Sequence, residues 1–260
     1  MAECRLDKFL SNRTSYSRSD IKKILKNGAV TVDGIAETDG NRRIDPDLHE
    51  IICEGKPVHG GTHIYLIMNK PRDVICATED RNHKTVLDLL PEQFRIKGLF
   101  PAGRLDIDST GLVLLTDDGA LSHRMLSPKQ HVGKVYLVRL ARPFEENYLP
   151  ALAEGLTLSD GTHCLPAQAF SLPDAHFCLI RLHEGKYHEV KRMFAALGNH
   201  VCHLHRIAVG GLLLPQNLSP GECLEIFHKE IDIMLNSDAF PVICEQIVSE
   251  FPSYLINAGQ

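Results

Sequence analysis

The chain has 260 residues, enough for one large or two modest domains of about 100–200 residues each. Hydrophobic residues make up 43% of it and Trp is absent, so aliphatic side chains must dominate a globular core. No apolar run reaches the ~18 residues that a membrane-spanning helix needs, and the first ten residues lack the apolar stretch of a secretory signal. We therefore expect a cytoplasmic protein with no membrane partner.

The charge is distributed unevenly. The net charge is −5, but residues 1–43 carry nine Lys and Arg against six Asp and Glu. This basic segment on an acidic remainder is compatible with RNA binding, because phosphate contacts depend on local charge. A solvated basic helix face would give the same count.

The eight cysteines are scattered and form no C-x-x-C pair. This spacing is typical of free, mostly buried thiols in a reducing compartment.

Two short helices and a small sheet are predicted at the start of the chain. Ser17 and Asp20 have the spacing of a capping box, which predicts a helix over 18–27 that Gly28 ends. Strands are expected at 30–32 and 51–52. We assign residues 1–58 to this first domain and the Gly-rich residues 59–62 to a linker.

A larger α+β domain is expected over residues 63–235, because strands and helices follow each other irregularly and several strands are consecutive. This order favours a mixed, mostly antiparallel sheet with flanking helices. Residues 236–260 are expected to be a C-terminal extension, an appended tail without an assigned role. Strands are predicted at 64–68, 112–116, 134–140, 163–170, 176–183, 200–209 and 222–227. Helices are predicted at 119–126, 144–154 and 186–197.

The segment 101–119, PAGRLDIDSTGLVLLTDDG, is the most informative stretch. Its polar residues lie between apolar flanks, which predicts a rigid loop at a sheet edge. Three interpretations are open. Asp106 and Asp108 could bind a divalent metal, since with Gly111 they partly match a calcium loop, but Asp117 replaces the final Glu of such loops. The segment could be an acidic surface turn. Asp106 could also be a single catalytic carboxylate beside Arg104.

A zinc site is the other metal alternative, because His200, Cys202, His203 and His205 are close together. Structural zinc sites usually combine two separated ligand pairs, and no second pair is present. We expect no metal site.

The same segment resembles the active-site motif of the pseudouridine synthases. About fifteen positions match G-R-L-D-x-x-(S/T)-x-G-L-(L/V)-L-(L/M)-T-(N/D)-D-G, the form found in the bacterial ribosomal RNA branch. Further similar blocks are 68–71 (MNKP), 133–138 (GKVYLV), 184–198 (EGKYHEVKRMFAALG), 204–206 (LHR) and 210–211 (GG). The pair Tyr187-His188 resembles the RsuA-type enzymes, although Glu189 stands where the motif usually has Gln.

This resemblance implies a cofactor-independent isomerase that extrudes a uridine from structured RNA into a pocket. It implies that Asp106 is the essential carboxylate, that Tyr136 stacks on the base, and that Lys191 is the cation beside Asp106, with Arg192 as the adjacent candidate. Arg104 would fill or brace the space that the base leaves, and Leu204 would line the pocket. Whether Asp106 attacks C1′ or removes a proton at C2′ stays open.

The first domain resembles an S4-type (α-L) RNA-binding module. The implied substrate is uridine 516 of 16S rRNA, free or in a partly assembled small ribosomal subunit, and a monomer is the default state. A 23S rRNA site and a non-catalytic role in subunit assembly are the alternatives. The side chains expected to contact RNA are Arg5, Lys8, Arg18, Lys22, Lys23 and Lys26.

Overall fold

The computed structural model describes residues 3–46, 48–58, 63–127, 132–236 and 240–258. The expected linker, residues 59–62, lies outside the described residues. The helices are α1 (Leu6–Arg13), α2 (Arg18–Lys26), α3 (Gly119–Leu126), α4 (Tyr148–Glu154), α5 (Glu189–Ala196), α6 (His228–Asn236) and α7 (Phe240–Ala258).

The strands fall into a small N-terminal group and a large central group. The N-terminal strands are β1 (Cys4–Arg5), β2 (Val30–Val32), β3 (Ile35–Ala36), β4 (Arg43–Ile44), β5 (Ile51–Cys53) and β6 (Lys56–Pro57). The others are β7 (Tyr65–Lys70), β8 (Phe100–Ala102), β9 (Thr110–Thr116), β10 (Lys134–Leu140), β11 (Gln168–Ser171), β12 (Phe177–Leu182), β13 (Val201–Val209), β14 (Leu212–Leu213) and β15 (Cys223–Glu225).

The N-terminal segment folds around its own apolar cluster, in which Leu6 and Phe9 of α1 pack with Ile21 and Leu25 of α2. The predicted capping box is present: the Ser17 hydroxyl accepts from the Asp20 N–H, and the Asp20 carboxylate accepts from the Ser17 N–H. Beyond α2, Gly28 has a φ of 68°, the left-handed conformation that glycine adopts most easily after a helix. Four strands in the order β3-β2-β5-β6 complete this unit, and β1 pairs with β4.

The rest of the chain is built on one sheet with the order β11-β12-β10-β13-β9-β7-β15. Its pairs are antiparallel except for β9 and β13, which run parallel where His205 lies opposite Thr110. Gly111 is required at this junction, because a Cβ there would lie 2.3 Å from the carbonyl oxygen of Arg206. The predicted α+β class with a mixed, mostly antiparallel sheet is confirmed.

Alternation along β10 sends side chains to two apolar layers. Tyr136 and Val138 belong to the cluster that includes Phe194 of α5. Val135 and Leu137 belong to the cluster on the other face. The sheet is thus covered on both faces.

Three predicted elements begin at least three residues later than the sequence indicated. Strand β11 begins at Gln168 instead of residue 163, α4 at Tyr148 instead of residue 144, and α5 at Glu189 instead of residue 186. The positive φ of His188, 49°, explains the last difference, because a left-handed residue cannot continue a right-handed helix on its N-terminal side.

The C-terminal residues are not the appended tail that the sequence suggested. Phe240, Ile243, Ile247 and Phe251 of α7 are buried against β10, β12 and β13. Their spacing of three or four residues places them on one helix face, and that face closes the second side of the sheet. Among the described residues, no helix has the length and apolarity that crossing a bilayer requires.

Candidate active site

Asp106 lies in the short connection between β8 and β9, near the middle of the sheet. Gly103 opens this connection with a φ of 98°, which favours glycine. The Ser109 N–H donates to the Asp106 carbonyl oxygen at 3.1 Å, and the Asp73 N–H donates to the Ile107 carbonyl oxygen at 2.9 Å. These bonds fix the loop, so the Asp106 carboxylate has a defined position.

Lys70 is a buried support for the same loop. Its side chain is inaccessible to solvent, and its Nζ donates to the carbonyl oxygens of Pro71 (2.9 Å), Ile107 (3.3 Å) and Ser109 (2.7 Å). Burial lowers the Lys70 pKa to about 8, although nearby acidic groups, Asp106 and Asp108 among them, act in the opposite direction. Lys70 belongs to the MNKP block that resembles the family, but no role for it was predicted from the sequence.

Lys191 of α5 lies between the two acidic side chains of the loop. Its Nζ is 2.9 Å from Asp106 Oδ2 and 2.6 Å from Asp108 Oδ1. Burial acts to lower the pKa of Lys191, but its bonds to Asp108 and Asp106 outweigh this and raise the pKa. For Asp108, burial raises the pKa and the bond with Lys191 more than offsets it, so the pKa is lowered.

The neighbouring cation, Arg192, has different partners from Lys191. The Arg192 Nη2 is 2.5 Å from Asp160 Oδ2, and its Nη1 donates to the Tyr187 carbonyl oxygen at 3.3 Å. Arg192 therefore faces an exposed turn, whereas Lys191 contacts Asp106.

His188 is a second basic side chain near Asp106. Its Nε2 lies 3.7 Å from Asp106 Oδ1, and its ring stacks on Tyr187 with centroids 3.9 Å apart. Tyr187 is 76% exposed, so an aromatic face is presented to solvent at the rim of the site.

A cavity of about 420 Å³ opens above Asp106. This volume lies within the ~300–1,000 Å³ typical of small-ligand pockets. Tyr136 of β10 and Leu204 of β13, each 7% exposed, form part of its wall, and the exposed Arg104 also lines it. Five of the expected residues thus surround one volume: Arg104, Asp106, Tyr136 and Leu204 line it, and Lys191 holds Asp106 at its edge.

The two metal alternatives fit the geometry poorly. The Lys191 ammonium occupies the space between Asp106 and Asp108 where a cation would bind both carboxylates. His203 Nε2 and His205 Nδ1 both contact the Thr110 hydroxyl, at 3.2 and 2.8 Å. Cys202, on the opposite side of β13, is exposed.

The expected RNA-binding side chains lie on the surface of the N-terminal unit. Arg5 is engaged by Asp7 at 2.6 Å, and Lys23 lies 3.8 Å from Asp20. All six are exposed: Arg5, Lys8, Arg18, Lys22, Lys23 and Lys26.

The residues that join this unit to the central sheet were not predicted from the sequence. Arg13 pairs with Glu225 of β15 and donates to the His63 carbonyl oxygen. Arg95 and Lys97 line the same cavity of about 830 Å³ as Arg18. Only the folded chain brings these residues together, although the Arg-Ile-Lys run at 95–97 was a visible basic signal.

Comparison with known proteins assigns the chain to a family. Residues 64–196 match the family model described as RNA pseudouridylate synthase, and residues 4–48 match the S4 domain. The chain belongs to the RNA pseudouridylate synthase family. Its S4 domain and its relatives place it in the RsuA-type branch.

The similarity to individual family members extends over most of the chain. It is 43% identical to the RNA pseudouridine synthase YtzG of Bacillus subtilis, covering 88% of this chain and 98% of that protein. It is 45% identical to ribosomal small subunit pseudouridine synthase A of Pasteurella multocida, covering 87% and 97%. A crystal structure of a pseudouridylate synthase superposes with a TM-score of 0.62 at 39% identity, covering 88% of this chain and 99% of that one.

Proposed function

We propose that this protein isomerises uridine 516 of 16S rRNA to pseudouridine, acting on the small subunit RNA. The observation that carries the proposal is the Asp106–Lys191 pair at the edge of a base-sized cavity walled by Tyr136 and Leu204. The relatives named as small subunit pseudouridine synthase A support the choice of RNA.

The reaction breaks the bond between C1′ and N1, rotates the uracil and joins C1′ to C5, after which the C5 proton is released. No electrons and no outside group are transferred, so the protein's own side chains can supply what the reaction needs. The uridine must unstack from its neighbouring bases to enter the cavity, which costs about a few kcal/mol.

Asp106 takes part in the step that breaks the C1′–N1 bond, by adding to C1′ or by removing the C2′ proton. Both routes use an ionised carboxylate. The Lys191 ammonium at 2.9 Å stabilises that charge. Lysine is a compact point charge, and here it contacts a different carboxylate on each side, which a planar guanidinium would do with a different geometry.

The wall of the cavity holds the base. We assign Tyr136 to stacking on the uracil, which is worth ~1–3 kcal/mol for a base on an aromatic face. Leu204 excludes water on the β13 side. Arg104, exposed at the cavity, occupies the space that the base leaves in the RNA.

The N-terminal unit supplies the electrostatic part of binding. Six of its exposed cations, Arg5, Lys8, Arg18, Lys22, Lys23 and Lys26, contact phosphates, which gives affinity without reading sequence. We also propose that the protein acts as a monomer and that its substrate is a partly assembled small subunit in the cytoplasm. Residues 1–58 and 63–235 are then the two functional domains, and α7 packs against the second.

Tritium release tests this function. Purified protein is incubated with 16S rRNA or a partly assembled small subunit carrying tritium at C5 of uridine, and pseudouridine is mapped in the product. Wild type is expected to release tritium at one site. Release on 23S rRNA alone would move the proposal to another target, and no release on any ribosomal substrate would refute it.

A matched pair of variants tests the role of Asp106. Asp106→Asn is expected to abolish turnover and to leave RNA binding within about twofold, because only the charge is removed. Asp174→Asn makes the same chemical change on an exposed turn where Asp174 accepts from the His176 N–H, and it is expected to retain full activity.

A further inference from the structure

An acidic side chain in the wall of the cavity, Glu189, lies next to a second one, Glu184. Glu189 is the first residue of α5, lines the cavity and is 4% exposed. The Glu184 side chain is 13% exposed. A carboxyl oxygen of each and the Cys164 Sγ all lie within 4.8 Å of one another.

Three of the four carboxyl oxygens have a donor. Glu184 Oε1 accepts from the Leu165 N–H at 2.8 Å, and Glu184 Oε2 pairs with the Lys186 ammonium. Glu189 Oε2 accepts from the Lys186 N–H at 3.0 Å. Glu189 Oε1 is buried without a hydrogen-bond donor among the described residues.

A proton on Glu189 gives the buried Oε1 a hydrogen-bond partner. An ionised carboxylate would leave Oε1 as a buried charged acceptor without a donor, which is costly. Two adjacent carboxylates would also repel each other. A protonated Oε1 becomes a donor, and the Glu184 carboxylate beside it is the acceptor.

We propose that Glu189 is a positioning residue. Its protonated carboxyl donates a hydrogen bond to Glu184, and this bond holds residues 184–188, the rim of the cavity, in the position that the reaction needs. The inference rests on the proposed function, since the rim matters only if Asp106 is the catalytic carboxylate.

The rim connects this pair to Asp106. Lys186 is held at its N–H by Glu189 and at its ammonium by Glu184. Two residues later His188 adopts a φ of 49°, which costs energy in a residue other than glycine and persists only where neighbours enforce it. That conformation places the His188 ring 3.7 Å from Asp106.

The groups around Glu189 explain its affinity for a proton. Burial raises its pKa to about 7, followed by the effect of Glu184, while Lys186 acts in the opposite direction. The buried Lys134 on β10 also faces it, and the thiol of Cys164 completes the surroundings. As the pH rises through about 7, the proton is lost, the two carboxylates repel and the rim loosens.

The experiment is a pH profile of kcat/KM for tritium release by the full chain between about pH 5.5 and pH 9. Wild type is expected to show a bend near pH 7, above which the rate constant falls about tenfold per pH unit, as for loss of one proton. Glu189→Gln keeps an N–H donor toward Glu184 and an acceptor for Lys186 but cannot ionise, so its bend should disappear.

Two further variants make the result specific. Glu184→Gln removes the neighbouring negative charge and should move the bend to lower pH. Glu146→Gln makes the same change at an exposed position and should keep the wild-type profile. A bend that survives unchanged in Glu189→Gln, or a wild-type profile without one, would overturn the inference.

Direct detection of the protonated carboxyl group tests this inference independently of the proposed function. Infrared difference spectra of the protein labelled with ¹³C-glutamate should show a protonated carboxyl band below pH 7 that is missing in Glu189→Gln. If wild type released no tritium on any RNA, the proposed function would fail, and this band alone would decide whether the carboxyl pair shares a proton. An absent band in wild type would refute the pair itself.

Discussion

At the scale of single residues, one ammonium group organises the candidate site. Lys191 contacts Asp106 and Asp108 from α5, 83 or more positions along the chain. Sequence motifs identified the residues of this group but left Lys191 and Arg192 as alternatives, because adjacent helical residues point about 100° apart and the sequence does not fix which one faces the loop.

Replacing Lys191 tests its role as the cation. Lys191→Met should lower kcat by about 100-fold or more, because two neighbouring carboxylates lose the charge that stabilises them. Single-turnover kinetics gives the rate, and RNA affinity measured separately should change much less. Lys229→Met, an exposed lysine of α6, is the control and should keep the wild-type rate. A Lys191→Met rate within threefold of wild type would contradict the assignment.

Replacing Lys70 tests the support of the loop. Lys70→Met keeps most of the side-chain volume but leaves three carbonyl oxygens without their common donor. Each unsatisfied buried group costs ~1–3 kcal/mol, so urea denaturation should show a clearly lower free energy of unfolding. The folded fraction should also have a lower kcat, because the Asp106 loop is less rigid. Normal stability with normal kcat would show that the loop holds its shape without this lysine.

At the scale of elements, the sequence predicted the capping box, the glycine that ends α2 and most strands of the central sheet, because each of these depends on nearby residues. The start of α5 could not, since the rim before it is held by contacts from Glu184 and Glu189 and ends in a left-handed His188. Helix α7 was missed for another reason. Its apolar spacing was visible, but the surface that it covers is formed by strands far away in the sequence.

The packing of α7 can be measured. Ile247→Ala should lower the free energy of unfolding by ~2–5 kcal/mol, the usual range for such a truncation in a core, because Ile247 is inaccessible to solvent. Val248→Ala, one residue further on and 38% exposed, should cost less than about 1 kcal/mol. Equal effects in urea denaturation would show that α7 does not close the sheet in solution.

At the scale of the whole molecule, an N-terminal unit that carries the basic helix α2 is joined to a larger unit that is acidic overall. The sequence showed the charge asymmetry and the two folds. It did not show that Arg13 would fasten them through Glu225 and His63, since a buried arginine and a solvated one are identical in sequence.

Salt dependence tests how the basic helix α2 binds RNA. The triple variant Lys22→Gln, Lys23→Gln, Lys26→Gln should weaken RNA binding and flatten the plot of log affinity against log salt by about two units, at ~0.7–0.9 for each lost phosphate contact. Filter binding at several salt concentrations measures the slope. Lys229→Gln should leave it unchanged, and an unchanged slope in the triple variant would remove α2 from the RNA interface.

The parallel junction between β9 and β13 also has a consequence for how the protein becomes active. His205 and Thr110 are separated by 94 residues in the sequence. Contacts between such distant residues form slowly, because the chain between them must first close into a loop. The cavity takes its walls from both sides of this junction. Catalytic competence therefore requires both segments to be in place, and a nascent chain that has completed only its N-terminal unit has no cavity.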